Sequence, residues 1–273
     1  MTPAIWGILN VTPDSFSDGG LYLEPEDAIF RARQLLSDGA SVIDVGAESS
    51  RPGAERVSME EELRRLRPVV NALVAENIPV SVDTMRAEVA TEMVGRGAQI
   101  VNDISGGLAD PEMFGTVAAL DCTYVVMHWR GHSATMDAQA HYDEVAEDVA
   151  AELTDRVDVL RGAGIAPERL ILDPGFGFAK DVDHNWKLMQ RLDHIVSLGF
   201  PVLIGASRKR FTGAVLGRDH DPVDRDGVSA VLSVLAAQAG VAAVRVHEPR
   251  VHAEALATWR AAQEGAAQEG AAG

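Results

Sequence analysis

Asn10, Asp44, Asp83, Asn102, Asp103, His128, Asp173, Ser207-Arg208-Lys209, Arg245 and His247 stand at, or just inside, the ends of short apolar runs spread over the whole sequence. An ionised carboxylate only accepts hydrogen bonds, so Asp83 and Asp173, with the carboxamide of Asn102, suit a ligand rich in ring N–H and amino donors. Arg245 and His247 flank Val246. In an extended strand they point to the same side, where they suit an anion such as phosphate. Lys209 is a compact, adjustable cation that can reach a carbonyl or a ring nitrogen. The chemistry these residues fit is a flat heterocycle at one end of a site and a phosphate group at the other. A Mg2+ ion held by few protein ligands would be compatible with the phosphate end. Of the 24 basic residues only Lys180, Lys187 and Lys209 are lysine. Where arginine is the default cation, a lysine points to a place that needs one.

Two segments near these positions look like parts of a lid. Val-Thr-Pro-Asp-Ser-Phe-Ser-Asp-Gly-Gly follows Asn10, and Ser-Ser-Arg-Pro-Gly-Ala follows Glu48. Gly19-Gly20 and Pro52-Gly53 are turn signals around an isolated Phe16 and Arg51, residues better explained over a substrate than on plain surface turns. Other signals are weaker. His128 and His132 sit at a strand end rather than on a helix, and a catalytic zinc needs a third ligand. Cys122 reads as a core thiol. Gly175 and Gly177 follow Asp173-Pro174 but lack the third glycine and the distal acid of a dinucleotide loop.

The elements that must position these residues follow from periodicity. Continuous apolar runs, as in parallel strands buried on both faces, cover Ile5–Asn10, Val42–Val45, Val80–Asp83, Ile100–Asp103, Tyr124–His128, Leu170–Asp173, Val202–Ala206 and Ala243–Val246. Helix-period segments lie between them. Pro25 suits a first helical position, Ala28, Ile29, Ala32, Leu35 and Leu36 form a stripe, and Gly39 closes it. Ser58 with Glu61 predicts a capping box, Pro68 a kink or restart, and Thr84 a helix cap. Longer helices are predicted over Asp143–Arg161 and Val228–Ala239. Eight such units predict a (β/α)8 barrel over residues 1–260, with an open doubly wound sheet as the rival. From Ala261 the sequence Ala-Ala-Gln-Glu-Gly occurs twice, which predicts a low-complexity, irregular tail over 261–273. In strands whose carboxyl ends carry polar residues, those ends form one mouth where a ligand binds.

Composition narrows the partners. The chain has 273 residues and a formal net charge of −17, which disfavours nucleic acid and anionic membranes. One cysteine excludes an intrachain disulfide, and neither a signal peptide nor a run long enough to span a bilayer is evident. A soluble cytoplasmic protein acting on small molecules is the expectation.

The chain resembles the bacterial dihydropteroate synthases from about Ile5 to Trp259. The matching stretches are Asn10-Val-Thr-Pro-Asp-Ser-Phe-Ser-Asp-Gly-Gly20, Asp44-Val-Gly-Ala-Glu-Ser-Ser-Arg-Pro-Gly53, Ser81-Val-Asp-Thr84 and Asn102-Asp-Ile-Ser-Gly-Gly107. They continue with Met127-His128, Asp173-Pro-Gly-Phe-Gly-Phe-Ala-Lys180, Ser207-Arg-Lys209 and Arg245-Val-His247. The resemblance implies a TIM barrel, usually a homodimer. It implies an enzyme that joins 6-hydroxymethyl-7,8-dihydropterin pyrophosphate to 4-aminobenzoate in folate synthesis, the step that sulfonamides target. By the same resemblance Asp83, Asn102, Asp173 and Lys209 hold the pterin, Met127 and Phe178 line its pocket, and Arg245 flanks the ring. Arg51, Arg245 and His247 meet the pyrophosphate, with Arg245, His247 and Lys209 as the catalytic cations, and Asn10 binds Mg2+. Phe16, Ser50, Arg51 and Pro52 belong to the closing loops around aminobenzoate. Arg210 stands where many members have serine and is expected to add positive potential for the aminobenzoate carboxylate. Glu248-Pro249 replaces a more familiar Asp-Val, and Gly131–Ala140 is least like the family. A related pterin-binding methyltransferase would not need Arg245, His247 and Asn10 together. A noncatalytic paralogue would show degenerate motifs, and here they are intact.

Overall fold

The computed structural model describes residues 2–12, 25–48, 56–132, 135–218 and 220–271, so Phe16, Ser50, Arg51 and Pro52 lie outside the described residues. Eight parallel strands alternate with helices: β1 (Ala4–Asn10), β2 (Val42–Gly46), β3 (Val80–Asp83), β4 (Ile100–Asp103), β5 (Thr123–Met127), β6 (Leu170–Asp173), β7 (Leu203–Ile204) and β8 (Ala243–Val246). The helices are α1 (Pro25–Ser37), α2 (Met59–Ala75), α3 (Ala87–Gly95), α4 (Met113–Ala119), α5 (Val145–Gly162), α6 (Val182–Gln190), α7 (Leu192–Val196), α8 (Arg210–Gly213), α9 (Asp226–Gln238) and α10 (Pro249–Ala271). The ladder runs β6-β5-β4-β3-β2-β1-β8-β7. A single bridge between Leu172 and Val202 joins β6 to β7 and closes the barrel.

The strands read as continuous apolar runs because both of their faces are buried. Trp6, Val125, Leu203 and Ala243, with Val42, Ile100 and Ile171, alternate with outward residues and fill the barrel interior. Outward residues such as Ile43, Val45, Val80 and Val82 meet Leu63, Leu66, Val70 and Leu73 of α2 and Leu35 of α1. Across the barrel, Tyr124, Val126, Leu170 and Leu172 pack against Val149, Leu153 and Leu160 of α5. Large apolar side chains therefore close the lower barrel and leave its carboxyl end to polar ones.

Several local expectations meet a different outcome. Pro68 neither ends nor restarts α2; Leu66, Val69 and Val70 on either side of it are buried and hold the helix to the barrel. Ser58 accepts from the Glu61 N–H at 3.2 Å, but the Glu61 carboxylate turns to Arg64 and Arg65, so half of the capping box forms. Thr84 does not cap α3. Its hydroxyl donates to Glu62, and the Ala87 N–H is taken by Asp110 of the following unit at 2.8 Å. Strand β7 keeps only Leu203–Ile204 of the predicted run, because the chain leaves the ladder before Ser207 turns to bond β8. Pro249 occupies the first position of α10, where its missing N–H costs nothing. That helix carries on to Ala271 through the repeated Ala-Ala-Gln-Glu-Gly, where an irregular tail is expected; alanine, glutamine and glutamate all favour helix.

Candidate active site

Register places the polar residues at one level. Gly46 of β2 lies beside Asp83, Asp83 beside Asn102, and Met127 beside Asp173. On the β2–β3 side, one guanidinium ties two carboxylates together. Arg245 donates through Nε to Asp44 and through Nη2 to Asp83 Oδ2 at 2.7 Å. Asn102 Nδ2 donates to the same Asp44 oxygen at 3.1 Å. Burial pushes the Asp83 carboxyl up to about 7, opposed by Arg245 and reinforced by Asp44. Against that same burial, Asp44 and Asp83 hold the Arg245 guanidinium charged above its usual range. Among the described residues, Asp44 Oδ1 and its register neighbour Ser81 Oγ are buried without a partner, so this floor retains unused polar capacity.

On the β5–β7 side the wall is a loop. Gly175 and Gly177 have φ of +69° and +73°. A Cβ at Gly175 would stand 2.5 Å from the His128 carbonyl oxygen, so only glycine lets this loop lie on the end of β5. The Gly175 N–H donates to Asp173 Oδ1 at 2.7 Å, leaving Oδ2 near Gly205. Phe178 packs with Met127 and Met136. Lys209 reaches over the Phe178 ring, its Nζ 3.8 Å from the centroid. Burial pushes Asp173 up to about 6, opposed by the Gly175 N–H and then by Lys209, Arg245 and Lys180. Burial, then Arg245, brings Lys209 down to about 8. A carboxylate, an amide, a lysine and an aromatic edge thus surround a space suited to a planar, donor-rich ring.

His247 follows β8 with its backbone N–H donating to Ser207 Oγ at 3.2 Å and its Nδ1 3.0 Å from the same oxygen. Arg31 of α1 holds the His247 carbonyl at 3.1 Å. Asn10 Oδ1 and Asp83 Oδ2 both lie 3.6 Å from the point where a Cβ at Gly46 would stand, so they neighbour one another above a residue without a side chain. Among the described residues no group of three or more histidines, cysteines and carboxylates could hold a metal. One amide oxygen and at most one carboxylate suit Mg2+, which keeps waters and takes phosphate oxygens as further ligands.

Asp83, Asn102, Met127, Asp173, Phe178, Lys209, Arg245 and His247 therefore share the carboxyl end of the barrel. Arg210 stands at its rim, exposed, with Asp137 of the β5–α5 connection facing its guanidinium at 3.3 Å. Sequence reasoning missed the role of Asp44 as the partner of Arg245, although Asp44 shares the inward parity of the site residues. It also missed Ser207 as the support of His247, which sequence separation hides. The third omission is a network behind the Phe178 loop, formed by His128, Arg130, Tyr142, Glu152, Lys180 and Asn185; the scarcity of lysine was its signal.

An eight-stranded barrel with this mouth is an enzyme scaffold whose site fits a pterin-like ring. Residues 6–247 match the family described as pterin binding enzyme, and the chain belongs to that family. A dihydropteroate synthase of Mycobacterium leprae is 48% identical over 255 residues, covering 92% of this chain and 90% of its own. The Xanthomonas albilineans dihydropteroate synthase in complex with 7,8-dihydropteroate superposes with a TM-score of 0.86 at 40% identity, over 96% of this chain and 94% of that one. The Yersinia pestis dihydropteroate synthase with a sulfonamide drug has a TM-score of 0.91 at 38% identity, over 96% and 95%.

Proposed function

We infer that this chain is a dihydropteroate synthase: it joins 6-hydroxymethyl-7,8-dihydropterin pyrophosphate to 4-aminobenzoate, yielding 7,8-dihydropteroate and pyrophosphate in folate biosynthesis. It is a sulfonamide target. The observation that carries this reading is the meeting of Asp83, Asn102, Asp173, Lys209 and Arg245 at one barrel mouth, in a chain similar along its length to synthases. In this reading Asp173 and Asn102 receive the ring and amino donors of the pterin, and Lys209 donates to its acceptor edge. Met127 and Phe178 cover its apolar faces.

The reaction is a dissociative substitution. The C–O bond to pyrophosphate breaks, its electron pair leaves with the oxygen, and the methylene cation is delocalised into the electron-rich pterin. Arg245 and His247 stabilise the charge that grows on the leaving group. Aminobenzoate attacks through an aniline nitrogen that is neutral at pH 7; the new C–N bond forms and the nitrogen then releases a proton to solvent. No strong general base is required. Asn10 would hold Mg2+, which when bound supplies charge neutralisation at the pyrophosphate oxygens. Phe16, Ser50, Arg51 and Pro52, outside the described residues, complete the reading as the aminobenzoate and pyrophosphate loops. Homodimeric assembly and a cytoplasmic location belong to the same reading and rest on the family resemblance. Among the described residues no helix is long and apolar enough to cross a membrane.

Mass spectrometry of purified protein with both substrates and Mg2+ tests this. Dihydropteroate that requires Mg2+ and falls on adding a sulfonamide is the expected result. If none forms, calorimetry with the pterin pyrophosphate separates two failures: binding without turnover means a noncatalytic paralogue, and no binding overturns the pterin assignment.

A further inference from the structure

Lys180 is buried behind the wall that carries Phe178. Its Nζ donates to the carbonyls of Gly175 and Phe178 at 3.1 and 3.2 Å and stands 3.1 Å from His128 Nδ1. Three acceptors match the three protons of an ammonium, so the group is used in its charged form. The His128 ring is then neutral, with its Nε2–H donating to Glu152 at 3.0 Å, and Glu152 is paired with Arg130. Burial, helped by Lys180, brings His128 down to about 4, which agrees with a neutral ring. Among the described residues no carboxylate forms an ion pair with Lys180 directly. A buried cation without such a partner costs several kcal/mol that a neutral donor would not. A neutral donor serves right beside it: Asn185 Nδ2 donates to the Lys180 and Asp181 carbonyls, and its Oδ1 accepts from the Gly177 N–H. The Ala179 carbonyl, on a residue with φ of +46°, is taken by the Tyr142 hydroxyl at 3.0 Å. A lysine placed where a carboxamide would bond the carbonyls suggests that its charge is the point. In a chain with three lysines, Lys187 is exposed while Lys180 and Lys209 lie on either side of the Phe178 loop.

We propose that Lys180 is a positioning residue for pterin binding, whose ammonium gathers the Gly175 and Phe178 carbonyls and whose charge adds to those of Lys209 and Arg245 around the Asp173 carboxylate that receives the ring donors. The role rests on the synthase reading above and adds to it a residue that does not touch the substrate. Gly175 links the two effects, because its carbonyl faces Lys180 while its N–H is bonded to Asp173. The charges facing Asp173 are Lys209, Arg245 and Lys180. Those facing Lys180 are Asp173, Arg130, Glu152 and Lys209, with the neutral His128 in contact.

Two variants separate geometry from charge. Lys180→Met removes both, whereas Lys180→Gln keeps a donor for the carbonyls without the charge. For Lys180→Met, calorimetry with the pterin pyrophosphate should show about tenfold weaker binding at pH 6.5, where Lys180, brought down to about 7 by burial, still carries its proton, while the aminobenzoate KM at saturating pterin changes by less than about twofold. The acid limb of pterin binding should move up by about half to one pH unit in both variants, since each loses the same charge. Lys180→Gln should recover part of the affinity above that limb. An unmoved acid limb in Lys180→Gln overturns the proposal, even if Lys180→Met does not fold. So does an equal loss for both substrates with a lowered Tm, the mark of a structural lysine. Failure of the wild-type protein to make dihydropteroate would instead count against the synthase reading, and the binding experiment reads out independently of turnover.

Discussion

The two sides of the mouth hold their carboxylates in opposite ways. On the β2–β3 side, Asp44 and Asp83 are bonded to Arg245 before any ligand arrives. On the β5–β7 side, Asp173 has one backbone donor, and its charge is countered by lysines and Arg245 acting without a direct ion pair. Arginine keeps its proton under all ordinary conditions and presents a fixed fork, so it locks a pair of acids into one geometry. Lysine titrates when buried, as Lys209 at about 8 and Lys180 at about 7 illustrate. Fixed charge therefore stands on the side where Asp44 and Asp83 share Arg245. Adjustable charge stands on the other side, where Lys209 lies over the Phe178 ring.

The sharpest way to break the comparison is at Arg245. In Arg245→Gln the buried Asp44 and the half-buried Asp83 lose their shared cation, and removing one partner of a buried pair costs about 3–5 kcal/mol. Urea unfolding should show that loss alongside abolished turnover; a protein of wild-type stability would mean that the pair is not a fixed unit. Asp173→Asn should behave differently. It should lower kcat/KM for the pterin well over tenfold, because the amide presents its own donors to the ring N–H groups, yet it should not destabilise the free protein.

The sign follows from linkage. The Asp173 carboxyl is held at about 6 in the folded chain, above its ordinary value, so the folded state favours the proton. Its contribution is full below an unfolded value of about 3.9 and is lost as pH rises through about 6. Asp173→Asn should therefore remove a decline in stability between those pH values, and unfolding midpoints measured from pH 4 to pH 7 will show whether it does.

Next in size is the pH profile of kcat/KM for the pterin, which reports ionisations of the free enzyme. It should rise between about 6 and about 7 as Asp173 and then Asp83 ionise, and fall through about 8 as Lys209 loses its proton. A flat profile over that range would remove the adjustable side of the contrast. The smallest effect is expected at Arg210, whose charge is exposed and already faced by Asp137. Arg210→Ser should raise the aminobenzoate KM by only about two- to threefold, in keeping with a screened surface charge. An unchanged KM would remove Arg210 from the aminobenzoate subsite.

Much of this contrast was legible in the sequence, and the illegible part has a physical cause. Strands β3, β4, β6 and β8 match their predicted bounds; β3, β4 and β6 are short, largely apolar runs closed by Asp, and β8 is an apolar run interrupted by Arg245 alone. Asp83, Asn102, Asp173 and Arg245 were readable as one site because parallel strands bring their carboxyl ends to one face. Asp44 was present in the motif, but its bond to a residue 201 positions away depends on barrel closure, which no local pattern encodes. Thr84 read as a cap for the same reason: Asp110, which accepts the Ala87 N–H instead, arrives from the next unit. Lys180 was visible only as a rare residue type, since its three acceptors come from backbone turns and from a histidine 52 residues away.

The closure of the barrel carries a last consequence. Seven of the eight strand junctions are continuous ladders, whereas β6 meets β7 through the single Leu172–Val202 bridge, beside a two-residue strand. Local opening draws on the least-bonded part of a structure, so amides along this seam should exchange with deuterium ahead of those in β1–β5. Asp173 ends one lip of the seam and Lys209 follows the other. A pterin bonded to both would clasp the lips together, so its arrival should be recorded as slowed exchange across the seam.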